Sequence, residues 1–158
     1  MFEKRGFSMI EALIASSICL MVFLGVAIAF RMTVKAAFNN TARLQAAYLE
    51  EEGQEAVRIL RDNGWTTNIA SHSSGTTFYL TWDGSTWNAT STKTYVDSFF
   101  ERSVVLNDVY RNSSQDIVTN GGTLDPKTKK ATVSVLWREN GATTTRSLAT
   151  YLTNIFNN

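Results

Sequence analysis

Gly6-Phe7-Ser8-Met9-Ile10-Glu11-Ala12-Leu13-Ile14 opens a stretch in which one carboxylate, Glu11, is followed by no charged side chain until Arg31. The 19 residues from Ala12 to Phe30, at about 1.5 Å of rise each, make about 28 Å of helix, close to the hydrocarbon thickness of a bilayer. The segment is long and apolar enough to span. An ionisable group near the centre of such a span costs about 2.5–3.5 kcal/mol, and less toward an interface, so one found there has a partner or a task. Glu11 is the first functional candidate.

Downstream the pattern changes from uniformly apolar to amphipathic. Val34, Phe38, Ala42, Ala46, Leu49, Gly53, Ala56 and Leu60 recur at spacings of four and three, which places them on one helical face. Glu50, Glu51, Glu52, Glu55, Arg58 and Arg61 mostly lie off that face, and Glu55 with Arg58 and Arg58 with Asp62 are spaced to pair along the surface. Asn63-Gly64 is a C-terminal stop signal. The single proline is Pro126, so Phe7 to Asn63 reads as one helix of about 85 Å. Its first half (7–30) would lie in a membrane or an assembly core, and its second half (31–64) would carry the apolar stripe against a globular head. Three adjacent glutamates on a helix point about 100° apart and do not converge on a metal, so the sequence predicts a solvated acidic face at Glu50 to Glu52.

Beyond Trp65 the period becomes that of strands. Thr77 to Trp82 is rich in β-formers, Asp83-Gly84 turns the chain, and Thr86-Trp87 returns. Asn88 to Tyr95 reads as loop, Phe99 to Tyr110 as a longer strand with Phe100, Val104 and Leu106 inward, and Arg111 to Lys130 as loosely structured. Thr132 to Trp137 and Thr144 to Leu152 flank Asn140-Gly141, the strongest two-residue hairpin signal. The expected fold class is α+β: a long N-terminal helix packed on an antiparallel sheet of about four strands in a head spanning 65–158.

Charge and composition exclude several functions. The formal net charge of +1 gives no electrostatic footprint for nucleic acid, and Lys127, Lys129 and Lys130 beside Pro126 read as a solvated turn. The one cysteine, Cys19, lies in the apolar run and can form no intramolecular disulfide. The one histidine, His72, sits in a Ser/Thr/Gly loop and reads as a surface residue. With no nucleophile–base pair, no phosphate-binding glycine loop and no histidines at metal spacing, the sequence argues against an enzyme and implies no cofactor and no metal. Trp65, Trp82, Trp87 and Trp137 offer either a sugar- or base-stacking face or, the commoner use, core and rim packing.

Lys4-Arg5-Gly6, Phe7, Ser8, Met9, Ile10 and Glu11 resemble the processing signal of type IV pilins and type II secretion pseudopilins: a short basic leader (1–6) ending in Gly, an aromatic first mature residue and Glu fifth. The stretch from Leu49 through Glu51-Glu52-Gly53 to Arg61-Asp62-Asn63-Gly64-Trp65 also resembles the helix end of small bacterial prepilin-type proteins. The resemblance implies a lollipop-shaped structural subunit, a minor pilin or minor pseudopilin, since the disulfide loop and mid-helix proline of many major pilins are missing. It implies cleavage by prepilin peptidase between Gly6 and Phe7, N-methylation of Phe7, and pairing of Glu11 with the Phe7 amine of a neighbouring subunit. Removal of Glu3, Lys4 and Arg5 from 15 basic and 14 acidic side chains would leave 13 of each. Its implied partners are the peptidase, other pilins through the N-terminal helix, an inner-membrane assembly platform and lipid. It places the chain as a single-pass protein of the inner membrane with its head outside the cytoplasm, then in a pilus or pseudopilus at the cell surface.

Two other readings fit part of the sequence. Ala27-Ile28-Ala29 fits a conventional secretory cleavage site, which would make the head a secreted β-rich binding module. The apolar run is, however, longer than the usual signal core of about 7–15 residues. Uncleaved, the same run would anchor a surface protein that never polymerises.

Overall fold

The computed structural model describes residues 8–157. The helix α1 spans Met9–Asn63. It starts where the Ser8 carbonyl accepts the amides of Glu11 and Ala12 at 3.0 and 3.2 Å. At its other end the Gly64 amide donates to the Arg61 carbonyl (3.2 Å) and Asn68 Nδ2 donates to the Leu60 carbonyl (3.0 Å), supplying partners for carbonyls that the end of a helix leaves open. A short π-helical turn, Thr66–Ala70, follows. The chain divides into two compact units, Met1–Ala42 and Arg43–Asn158.

The second unit contains the sheet. Its strands are β1 (Thr77–Trp82), β2 (Trp87–Thr90), β3 (Tyr95–Val96), β4 (Phe100–Arg111), β5 (Ile117–Val118), β6 (Thr123–Glu139) and β7 (Ala142–Thr153). The order is β2-β1-β4-β6-β7, with β3 and β5 also paired to β4, and every pairing is antiparallel. The consecutive pairs β1–β2, β3–β4, β4–β5 and β6–β7 are hairpins, while β1 returns to β4 through β2 and β3, and β4 to β6 through β5; antiparallel pairing needs no crossover helix. At the tightest of them Asn140 and Gly141 have φ of 55° and 83°, the left-handed pair that matches the twist of a two-residue hairpin.

The strict alternation of β4 and β6 decides which face is covered. Phe100, Val104 and Leu106 are buried on β4, and Ala131, Val133, Val135 and Trp137 on β6. The C-terminal part of α1 covers them with Ala46, Gly53, Ala56, Val57 and Leu60, and Trp65, Ile69, Phe78, Leu80 and Leu152 complete the core. Each large side chain so buried contributes about 1.5–3 kcal/mol relative to exposure. Gly53 marks the closest approach of helix to sheet: a Cβ there would lie 2.7 Å from Val133 Cγ1 and 3.1 Å from Arg102 Cδ. The opposite face carries residues suited to water, including a hydroxyl pair between Ser134 and Ser147 at 2.8 Å.

Several local expectations need correction. Asn88 to Tyr95 is not all loop, because β2 runs to Thr90 along β1 and β3 begins at Tyr95. Thr123 to Lys130 belongs to a 17-residue β6 rather than to an irregular segment. Pro126 is tolerated because the ladder slips there: Asp108 faces Lys129 while Val109 faces Asp125, so Pro126 stands in a bulge where no ladder hydrogen bond is required. Lys129 is buried rather than solvated and donates to Asp108 Oδ1 at 2.5 Å.

Candidate functional site

In the first unit, α1 from Met9 onward presents an apolar surface to its surroundings. Ile10, Leu13, Ile14, Ile18 and Leu20 are exposed, and Phe23 and Phe30 are 71% and 68% exposed. Among the described residues this is the one helix long and apolar enough to cross a membrane. Its hydroxyls do not disqualify it. Ser16 and Ser17 donate to the carbonyls of Leu13 and Ile14 at 2.9 and 2.8 Å, and Thr33 donates to Ala29 at 3.0 Å, so their polar hydrogens are satisfied inside the helix, as a hydrocarbon environment requires.

Glu11 is exposed and lies in the first turn of α1. A carboxylate there is favoured by the unpaired amides and positive dipole end of the helix, which lowers the cost of holding a charge at the edge of a span. Gly6 and Phe7, the two residues assigned to processing, lie outside the described residues. Cys19 is exposed on the same helix.

Three ion pairs of the second unit join α1 to the sheet. Glu50 is buried and accepts from Arg146 Nε at 2.7 Å. Glu139, likewise buried, accepts from Arg43 Nε and Nη2 at 3.2 and 2.7 Å, and this carboxylate raises the Arg43 pKa. Arg102, buried beneath α1, donates through Nη1 to Glu52 at 2.6 Å and stands 5.0 Å over the Trp87 ring. The acidic run is therefore not a uniformly solvated face. Glu51 is exposed as expected, whereas Glu50 and Glu52 find basic partners on β7 and β4. Glu55 pairs with Arg58 as spaced, and Asp62 accepts from Arg61 Nε at 2.7 Å. Among the described residues no group of three metal-ligating side chains converges.

The four tryptophans separate into two kinds. Trp65 and Trp137 are buried, while Trp82 is 54% exposed and Trp87 packs only partly against the core. His72 is not a free surface residue: its ring lies 4.4 Å from that of Phe78, and burial lowers its pKa. Asp83 holds the β1–β2 turn by accepting from the amides of Thr86 and Ser85, the Ser85 hydroxyl and Asn88 Nδ2. These bonds, led by the two amides, hold its carboxyl well below the usual range. Arg111 does the same for Asp125, its Nε 2.6 Å from the carboxylate.

Comparison with family models, with characterised proteins and with solved structures returns no match. Sequence and structure together define the class: an α+β protein with, among the described residues, one helix long and apolar enough to cross a membrane and an antiparallel sheet covered by the end of that helix.

Proposed function

We propose that this protein is a minor type IV pilin or minor pseudopilin, a non-catalytic subunit cut by prepilin peptidase between Gly6 and Phe7 and assembled into a pilus or secretion pseudopilus. The observation that carries the reading is Glu11, a lone carboxylate in the first turn of a helix whose next 19 residues bear no charge. The α+β fold, with the end of the helix laid over an antiparallel sheet, agrees with it.

Each part of the helix has a task in this reading. The exposed apolar side chains from Ile10 to Phe30 hold the subunit in the inner membrane, then pack against the same surface of neighbouring subunits in the filament. Cleavage creates a cationic amine on Phe7, which is N-methylated and pairs with Glu11 of a neighbour. Leaving either charge unpaired in a low dielectric is penalised by several kcal/mol, so the pair fixes register as subunits add.

The test compares wild type with Glu11→Ala in the native host, scoring processing by mobility and incorporation by recovery in sheared filaments. The variant should be cut normally, yet its incorporation should fall at least about tenfold, as a loss above about 1.4 kcal/mol per contact requires. Undiminished incorporation would remove Glu11 from its assigned role.

A further inference from the structure

We propose that the cleft between α1 and the β1–β2 hairpin, walled by Glu52, Trp82 and Trp87, is a binding site for a neutral saccharide. The cleft is a shallow, open groove of about 330 Å³, a shape that suits a ligand stacked on an indole face. Trp82 and Trp87 are register partners at the end of the hairpin, with ring centroids 5.5 Å apart and planes inclined by 58°.

The wedge is tied to its surroundings on three sides. The turn that joins the two tryptophans is fixed by the four hydrogen bonds to Asp83 Oδ1 and Oδ2. Asn63 Nδ2 donates to the Thr86 hydroxyl at 3.3 Å, tying the end of α1 to the same hairpin. Beneath, Trp87 packs against the core and under the Arg102 guanidinium. The backbone that carries Trp82 and the ring of Trp87 are thus set before a ligand arrives, which reduces the ordering that binding must impose.

Charge selects the class of ligand. Arg102 already occupies a face of Trp87 and neutralises Glu52, so the cleft offers no uncompensated charge for a cation or an anion. The lining has no exposed basic group for the phosphate of a nucleotide. A purely apolar ligand would desolvate a carboxylate without giving it a hydrogen bond, at a cost of at least about 1–3 kcal/mol. A pyranose ring meets all of these conditions. Its C–H face lies on the exposed indole of Trp82, and its hydroxyls donate to Glu52, whose side chain is 50% exposed and which keeps free lone pairs beside the one taken by Arg102. This inference does not rest on the filament reading and holds for the head under any of its localisations.

The test uses the full chain in lipid nanodiscs, which carry no sugar headgroups, with the four tryptophan indoles labelled by ¹⁵N. Chitotetraose, cellotetraose and maltotetraose are titrated in turn. For at least one of them the Trp82 and Trp87 indole signals should shift saturably while those of Trp65 and Trp137 stay in place. Affinity should then fall at least about tenfold in Trp82→Ala, and more than about threefold in Glu52→Gln, with much of it retained in Trp82→Tyr. The unmoved Trp65 and Trp137 signals report that a variant is folded, and a free-state Trp87 indole signal unchanged in Glu52→Gln reports that Arg102, the partner of Glu52, keeps its place over that ring. No saturable shift up to about 10 mM of all three sugars, a weak limit for any specific site, would overturn the proposal. So would equal shifts of all four indoles, or binding undiminished in both Trp82→Ala and Glu52→Gln.

Discussion

Replacing Gly53 by alanine separates the demands of the helix from those of the contact it makes. In an exposed helix interior the substitution stabilises by about 1 kcal/mol, because alanine loses less backbone entropy than glycine. At Gly53 the new methyl would stand 2.7 Å from Val133 Cγ1 and 3.1 Å from Arg102 Cδ. Neither neighbour can retreat freely: Val133 is fully buried and β-branched, and Arg102 is held by Glu52 and Trp87. Overpacking of this kind costs about 1–3 kcal/mol, so the net change should be a loss of about 1 kcal/mol, lowering Tm by about 4 °C in a unit of this size. The assay is thermal and urea unfolding of the full chain in nanodiscs, followed by near-ultraviolet circular dichroism, which reports the tryptophans of the sheet unit. Val133→Ala removes the obstructing methyl and costs about 2 kcal/mol alone. In that background Gly53→Ala should reverse sign and stabilise, giving a coupling above about 1 kcal/mol. A Gly53→Ala protein more stable than wild type, or strict additivity with Val133→Ala, would refute the close approach of helix and sheet.

Two further outcomes follow from the charged groups. Arg146→Met should destabilise the sheet unit by about 2–3 kcal/mol, below the full cost of an orphaned buried charge because Arg146 is itself more than half exposed, by 55% of its side chain. Glu50→Gln added to that variant should recover part of the loss, and urea midpoints of the two variants check it. Stability should also decline on acidification in two stages. Burial depresses the folded-state pKa of His72, so the neutral form favoured by the fold is fully populated above the unfolded value near 6.5 and its contribution is lost as pH falls below that. The depressed carboxyls of Asp83 and Asp125 remove further stability only below about pH 4. His72→Phe keeps a ring against Phe78 and should flatten the first stage while leaving the second; a first stage unchanged in that variant would assign it to other groups.

Local chemistry was readable in advance where a few neighbouring residues determine the outcome. Asn140-Gly141 announces its turn because few other pairs accept two consecutive left-handed residues, and β4 announces its buried face through Phe100, Val104 and Leu106. The length of α1 follows from an apolar run continued by an uninterrupted amphipathic one. What escaped depends on partners distant in the chain. Glu50 reads as a solvated acid until Arg146, 96 residues away, is brought to it by the β6–β7 hairpin. Lys129 likewise reads as a turn lysine until β4 supplies Asp108. Pro126 hid the first third of β6, since proline punctuates a strand unless a bulge happens to receive it, and a bulge has no strong sequence signature. Among the candidate assembly and processing residues, Glu11 stands out in the sequence by its isolation in an uncharged run and in the structure by its place in the first helical turn. The tryptophan cleft was half legible: four aromatics were visible, but only the fold distinguishes the buried Trp65 and Trp137 from the exposed Trp82.

The most direct test of prepilin-type processing is the intact mass and N-terminal sequence of the protein purified from its native membrane. The expected product is a chain that begins at Phe7 and is heavier by one methyl group. A chain that still begins at Met1, or one that begins at Phe30, would contradict prepilin-type processing.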